Sequence, residues 1–389
     1  SGGARRMSVI DRLYEAIRRP VPARPVGFVR IVVGAAALLR AWEGVKIMWP
    51  LTRPEILRLP NAEWAPEPTP ALVIAVLVVW VAAALAFTLG LRTRAAGGVL
   101  FIVLGVVLLS DQQAYSNHLS RLALLVLLLT VGDAGAAMSL DSRVSPRETV
   151  PAGPILLMKA QISIVYGFAA LTKLNAGFLG GGVLAAQLGT GFVPVPDGLR
   201  VPVVMMTLAG LVVVLEAFLA LGLWSRRYRP AALVLGLAFH VSIVLLMDPA
   251  VQLVVFALEM LAVYLLFLDL QPSSREVVFD DECGFCSRIV AGIRALDWLR
   301  VHRFVGSSET AELERLSVSH EEALTSVQLV SPTERAAGFA ALGNVAERLP
   351  ISFLWAPLHR LVGGPGERFY RIVAERRRCR RKLVVDRIG

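Results

Sequence analysis

Up to Leu268 this 389-residue chain is organised into eight apolar runs, at about 26–49, 70–91, 95–110, 120–138, 154–174, 200–224, 230–247 and 250–268. Most are long enough for a helix to cross a hydrocarbon core of about 30 Å, which takes ~20 residues. Hydrocarbon offers no partner to backbone N–H and C=O groups, so such segments satisfy themselves as helices. With 56% hydrophobic residues and a mean hydropathy of +0.63, the chain is too apolar for a soluble enzyme. The third and seventh runs are shorter or interrupted, so the expected count is about eight spans. After Leu270 charges become dense, long runs give way to alternation and no further span is expected. Pro272-Ser273-Ser274 reads as a linker. The expected organisation is an N-terminal segment (1–24), an all-α polytopic membrane bundle (25–270), a linker (271–276) and a small α/β domain with a basic tail (277–389).

The net charge of +10 is not a nucleic-acid footprint, because of where the charge falls. Arginines gather at Arg12, Arg18, Arg19 and Arg24, at Arg92 and Arg94, at Arg143 and Arg147, and at Arg226, Arg227 and Arg229. These are alternate loops, the positive-inside pattern with a cytoplasmic N-terminus. Eight spans return the C-terminal domain to the same side. The other loops are poorer in basic residues, with Arg121 expected in the outer loop after the third span. The basic tail Arg376–Lys382 fits either an anionic inner leaflet or a solvated helix end. No cleavable signal peptide is expected, and three cysteines, none in the membrane half, exclude a disulfide-stapled exported fold. The reading is a multi-pass protein of a bacterial inner membrane, with membrane lipid as its constant partner and both termini cytoplasmic.

Polar residues interrupt the spans in three places. The fifth run leads into Thr172-Lys173-Leu174-Asn175, with Lys159, Gln161 and Tyr166 behind it. Positions 159, 166 and 173 are seven apart and fall on nearly one helix face. An ionisable group at membrane depth costs roughly 3 kcal/mol or more and marks a functional site by default; a lysine near a helix end also serves as a snorkelling anchor. Asn117-His118 opens the fourth run, and His240 lies inside the seventh, where an interhelical hydrogen bond is the simpler role. On the expected topology Asn117, His118 and Lys173 share one membrane level and form one outward-opening pocket. Glu216 and Glu259 also sit mid-span, and buried carboxylates require partners.

Asn117-His118, Gln161, Tyr166 through Lys173-Leu174-Asn175, Leu215-Glu216 followed by Arg226-Arg227, and Phe239-His240 occur in an order that resembles the HTTM family. This is the membrane domain related to vitamin K-dependent gamma-carboxylase, and the resemblance runs from about Pro25 to Leu268. It implies a lipophilic quinone or hydroquinone as cofactor. Lys173 is then the base that deprotonates it, His118 a catalytic partner, and Asn117, Tyr166 and His240 lie around it. A hydroquinone ionises near the tyrosine value of about 10, and a solvated lysine near 10.4. Burial is expected to supply neutral amine at Lys173. The chain departs from the family at Ala176-Gly177-Phe178, where Asp-Trp is common. Gly180-Gly181-Gly182 reads as a turn rather than a phosphate loop, since no strand precedes it.

Beyond the linker, Glu276–Asp280 reads as a strand, Cys283-Gly284-Phe285-Cys286 follows, and a helix is expected from Ser287 to Leu299. A C-x-x-C between strand and helix is the thioredoxin-like redox arrangement. Cys283, at the helix start where thiolate is favoured, is the expected nucleophile, and Cys286 the resolving thiol, the two forming a redox-active disulfide. A zinc site is the competing reading, but no second C-x-x-C exists and His302, His320 and Cys379 are poorly spaced, so no metal is expected. The segment from about Val277 to Arg381 resembles the DCC family of thiol-disulfide oxidoreductases through Asp280, Cys283 and Cys286. Asp281 replaces the motif glycine and is expected to act on Cys283. No proline stands at Thr325-Ser326-Val327, where a thioredoxin carries one before a strand. Three functions follow: a quinol-dependent membrane enzyme acting on a peptide or thiol protein, a quinone-linked thiol-disulfide oxidoreductase, or a non-enzymatic partner in peptide maturation.

Overall fold

The computed structural model describes residues 8–61, 67–247, 251–268, 275–332, 334–349, 359 and 362–376. The chain divides into two compact units, Ser1–Leu268 and Asp269–Gly389.

In the first unit a short amphipathic helix, α1 (Val9–Arg18), leads through β1 (Pro20–Pro22) into the membrane helices. These are α2 (Ala23–Met48), α3 (Pro70–Leu89), α4 (Thr93–Ser110) and α5 (Asn117–Val131). A single turn, α6 (Asp141–Val144), and β2 (Thr149–Pro151) precede α7 (Ala152–Thr172). The short helices α8 (Ala176–Leu179) and α9 (Gly182–Gln187) then lead to α10 (Pro202–Gly222), α11 (Arg229–Leu246) and α12 (Val251–Tyr264). β1 and β2 pair antiparallel, Val21 opposite Val150, and so tie the starts of α2 and α7 together. The N-terminal segment is therefore part of the bundle. α1 leaves Ile10, Leu13, Tyr14 and Ile17 exposed at i, i+3, i+4, i+7 spacing, the pattern of a helix lying in a membrane interface.

Among the described residues six helices are long and apolar enough to cross a membrane: α2, α3, α4, α7, α10 and α11. Ile102, Phe168, Val203 and Leu221 on them are each more than 60% exposed, a surface suited to hydrocarbon rather than water. The two short apolar helices are Asn117–Val131 and Gln252–Phe267, not the third and seventh runs, which form continuous 18-residue helices. The fourth run breaks at Gly132. Asp133 and Met138 take positive φ (55° and 53°), and the Asp133 carboxylate is bound by Arg94 and Arg147. Hydropathy missed this break because Ala134, Ala136 and Ala137 are apolar and buried although not helical.

Small residues let α2 occupy the centre. A methyl group at Gly34 would lie 2.3 Å from Thr88 Oγ1 and one at Gly44 2.8 Å from the Trp80 ring, so the α2–α3 contact needs these glycines. Trp80 is fully buried and donates through Nε1 to the Ala37 carbonyl at 2.9 Å. Arg30, also fully buried, closes one end of the bundle. Its guanidinium donates to the carbonyls of Phe87, Thr88, Ala134 and Met138. It thereby satisfies the last turn of α3, whose carbonyls lack helical partners, and pins the broken fourth run against it.

The second unit contains β3 (Glu276–Phe279), α13 (Gly284–Leu296), β4 (Arg303–Gly306), α14 (Thr310–Leu316) and α15 (His320–Thr325). These are followed by β5 (Gln328–Ser331), β6 (Glu334–Ala337), α16 (Gly338–Ala346) and α17 (Gly363–Arg376). The sheet order is β4-β3-β5-β6, with β3 and β4 parallel and the other pairs antiparallel. A βαβ unit followed by an antiparallel hairpin and helix, with the first strand central, is the thioredoxin-like arrangement. β3 is buried along its whole length. Val277 and Phe279 face a core shared with Val290, Ala341 and Val345, while Val278 faces Val305, Leu313 and Ala323 on the other side, the period-2 alternation of a strand covered on both faces. β3 begins one residue inside the segment expected as linker, and α13 begins three residues earlier than expected. Most of the basic tail, from residue 377 and including Cys379, lies outside the described residues, as does the loop at 248–250.

Candidate functional site

The heptad-spaced face of α7 meets three different partners. Near its start, Lys159 lies 5.3 Å from the centroid of the Phe267 ring. Two turns on, the Tyr166 hydroxyl lies 2.8 Å from His240 Nε2 and bonds the Tyr264 hydroxyl. Two further turns bring Lys173, whose Nζ donates to both carboxylate oxygens of Glu216 on α10, at 2.8 and 2.9 Å. Seven residues of helix advance about 10 Å, so the lysine pair and the tyrosine–histidine group are neighbouring but separate stations along one face.

Local sequence sets the aim of Lys173. It is the C-cap of α7, and Asn175 forms the turn that follows: its side chain donates to the Thr172 carbonyl at 2.8 Å and accepts from the Phe178 amide at 3.0 Å. Phe178 then lies 5.7 Å from the lysine nitrogen as a cation–π wall. Gly181, with φ of +78°, starts α9, and a methyl group there would strike Met205 at 2.7 Å; the triple glycine is a tight turn. Lys173 was expected as an isolated buried amine. It is an ion-paired ammonium instead, 26% exposed against 6% for Glu216. Its removal therefore strands a carboxylate rather than relieving the bundle of a costly group.

His118, half-buried in the first turn of α5, groups with the Tyr166 station rather than with Lys173. Its ring packs edge-on to Phe256 at 4.8 Å, and the same Phe256 contacts the His240 ring at 5.6 Å and the Arg121 guanidinium at 4.5 Å. Among the described residues no hydrogen bond or ring contact joins His118 to Lys173. Asn117 is exposed at the helix start. Arg121, expected in an outer loop, is inside α5. It is 5% exposed and ion-paired with Glu259, which has no exposure at all. Ser116 caps α5 through the Leu119 amide, so the helix starts before Arg121 and carries it inward. Arg40 on α2 is 2% exposed and bonds Glu43 at 2.9 Å, and Gln161 donates to the Arg121 carbonyl at 3.3 Å. Tyr264 and the two arginines, Arg40 and Arg121, also belong to this station, and only the arginines carry a mark in the sequence. The available signal was a charge inside an apolar run, the same one that singled out Lys173.

In the second unit Cys283 caps α13 and Cys286 lies in its first turn. The Cys283 amide donates to Asp280 Oδ1 at 3.0 Å, which fixes the strand-to-helix turn. Both cysteines are buried, at 0% and 6% exposure, in one cluster with Val327 and Leu329. The Val327 amide, at the position where a thioredoxin has its proline, donates to the Tyr370 hydroxyl of α17 at 3.0 Å. Among the described residues no cluster of His, Cys, Asp or Glu could hold a metal ion.

Asp281 does not act on Cys283 as expected. Its carboxylate is turned to the loop after β4, where it accepts from Ser307 Oγ (2.9 Å), the Ser308 amide (3.1 Å) and Ser308 Oγ. Gly306 makes room: a methyl group there would sit 2.4 Å from Asp281 Oδ2. Burial opposes ionisation, but the hydrogen bonds from Ser308 and Ser307 outweigh it and hold the carboxyl below its usual value. A carboxyl lowered on folding contributes stability above its unfolded value near 3.9, and that contribution is lost as pH falls through the lower folded value. Asp281→Asn is accordingly expected to flatten the acid limb of the pH–stability curve below about pH 4. An unchanged acid limb in the variant would show that these bonds contribute nothing to folding.

Residues 18–271 match the HTTM domain, and residues 277–382 match the DCC1-like thiol-disulfide oxidoreductase domain. No curated protein and no solved structure matches the chain.

Proposed function

The chain belongs to the HTTM family, as a multi-pass membrane protein with a DCC1-like thiol-disulfide oxidoreductase domain, and we propose that its helical bundle takes a quinone or the corresponding quinol. The observation that carries this reading is the buried polar array in an apolar bundle: Tyr264, Tyr166 and His240 linked in one chain, with the Lys173–Glu216 pair two turns away. The array offers hydroxyl, imidazole and amine groups to a lipophilic molecule, and Phe256, packed against His118 and His240, supplies an aromatic wall. These groups match the oxygen atoms and the flat ring of a quinol.

A quinone supplies a two-electron, two-proton acceptor, which balances oxidation of the Cys283 and Cys286 thiols to a disulfide with formation of a quinol. With a quinone bound, Lys173 would donate a proton to the ring oxygen as it is reduced, and would be the base toward the quinol hydroxyl in the reverse direction. When its proton passes to Glu216 the pair becomes amine and carboxylic acid, with no net change in charge, and the amine lone pair is free to receive a proton. Tyr166, on the same face of α7, and its partner His240 on α11 hold the next proton-carrying positions. In the second unit a substrate thiolate attacks Cys283 of the Cys283–Cys286 disulfide and releases Cys286. A second substrate thiolate attacks the mixed disulfide and releases Cys283, so that the substrate leaves as a disulfide and the reduced pair is returned to the quinone. Cys283 is disulfide-bonded and Cys286 carries a thiol in this structure; because both cysteines are buried, exchange with a peptide or thiol protein requires a local opening around α13. The arginines at 92, 94, 143 and 147 support the reading that these loops, with both termini, face the cytoplasm of a bacterial inner membrane.

Mass spectrometry of lipids co-purified with the full-length protein tests the quinone assignment. A quinone is expected in the wild type and lost from Tyr166→Phe/His240→Ala protein that retains its thermal transition. Phospholipid alone in both would instead favour a non-enzymatic membrane partner.

A further inference from the structure

Among the described residues, several side chains of the membrane unit, two of them in contact with Phe256, have buried polar atoms without a hydrogen-bond partner. Nε and Nη1 of Arg40, Nε and Nη1 of Arg121, and Nδ1 of His240 are unpaired, against two acceptor atoms, Gln161 Oε1 and Glu259 Oε1. Among the described residues each guanidinium is bound through its Nη2 alone, on Glu43 or Glu259. The two arginines are at least 95% buried by side chain. They come from different helices, α2 and α5, and the charges of both act on His118. Buried donors are paired in folded proteins with few exceptions, and each exception calls for an explanation. Arg30 in the same bundle shows the ordinary outcome, with four carbonyls on one guanidinium.

We propose that Arg40 and Arg121 form a carbonyl-binding subsite, in which their unpaired N–H groups hold the oxygen of a neutral ring ligand packed against Phe256. Charge decides the ligand class. Two guanidinium groups meet two carboxylates, so the cluster is already neutral and lacks acceptors, not negative charge. An anion would add an uncompensated charge at membrane depth, whereas a ketone or quinone oxygen adds only acceptor capacity. The His118 and His240 rings beside Phe256 match a flat, apolar body. The inference rests on the quinone reading above and adds the residues that tell the oxidised ring from its hydrocarbon skeleton.

Binding of two probes to the full-length protein in nanodiscs tests it: a short-tailed naphthoquinone and the naphthalene of the same tail, which lacks both carbonyls. Wild type is expected to favour the quinone. In Arg40→Gln that preference falls about tenfold, the loss of one charge-assisted hydrogen bond. Arg121→Gln strands Glu259, so the charge-compensated Arg121→Gln/Glu259→Gln is the second variant, with the same fall expected. A structural role for the arginines would weaken both probes together and leave the ratio unchanged, and that result overturns the subsite. Equal affinity of wild type for the two probes overturns it as well, through water filling the cluster. No binding of the naphthoquinone to wild type overturns both the subsite and the quinone reading, whereas binding with an Arg-independent ratio overturns the subsite alone.

Discussion

Lys173→Ala is expected to destabilise the membrane unit by about 3 kcal/mol, the low end of the cost of breaking a buried ion pair. The low end applies because Lys173 is 26% exposed while Glu216 is 6% exposed. The variant leaves the Glu216 carboxylate among the apolar residues of α10 with no other partner among the described residues. Lys173→Ala/Glu216→Gln is therefore expected to recover most of the lost stability, because it removes the stranded charge, while quinol-dependent activity stays absent. Thermal unfolding in detergent, followed by the near-ultraviolet signal of the buried tryptophan, separates the two effects. A single variant as stable as wild type would make the lysine a snorkelling anchor whose head reaches water without its carboxylate.

Arg30→Met carries a comparable cost for a different reason. The substitution keeps much of the apolar stem but removes the guanidinium donor from four carbonyls, on Phe87, Thr88, Ala134 and Met138, of which Phe87 retains the Gly90 amide at 3.1 Å. A hydrogen bond to a charged group contributes about 1.5–3 kcal/mol. Some of these carbonyls will relax toward water, so a net loss of at least about 3 kcal/mol is expected. Arg30→Lys is expected to rescue little of it, since a point-like ammonium cannot span carbonyls on both α3 and the 134–138 loop as a planar fork does. Proteolysis in the 132–140 loop should rise in parallel. Near-native stability in Arg30→Lys would mean that charge alone, and not the fork, closes this end of the bundle.

The parts of this protein that are legible in its sequence are those fixed by local period. The seven-residue spacing of Lys159, Tyr166 and Lys173 put them on one helix face, and all three turn toward partners inside the unit. The strand–CxxC–helix order was likewise readable, because a short apolar strand, a turn and an amphipathic helix are local patterns. The partners were not readable. Glu216 lies 43 residues from Lys173 and Glu259 lies 138 from Arg121, and only the packing of helices brings them together. Sequence alone required some partner for each buried carboxylate but could not assign one. Arg121 was misplaced because apolar content located the fourth run, whereas the Ser116 cap determines where its helix begins. The same reliance on hydropathy extended that run through Gly132, where chain direction is set by Asp133 and its two arginines. Asp281 shows the limit at the smallest scale: its neighbour in sequence is the redox motif, yet the glycine at 306 and the serines after it decide where its carboxylate points.

The electron balance is the most direct test of the account. Full-length protein with reduced thiols, in nanodiscs under anaerobic conditions, would be mixed with a short-tailed naphthoquinone. Quinol absorbance would be followed alongside the mass of the peptide containing Cys283 and Cys286. Quinol is expected to form in step with the loss of two hydrogens from that peptide, and both changes are expected to disappear in Cys283→Ser and in Lys173→Ala/Glu216→Gln. Thiols that remain reduced while the quinone stays oxidised, with both the wild-type protein and its thermal transition intact, would contradict the proposed function.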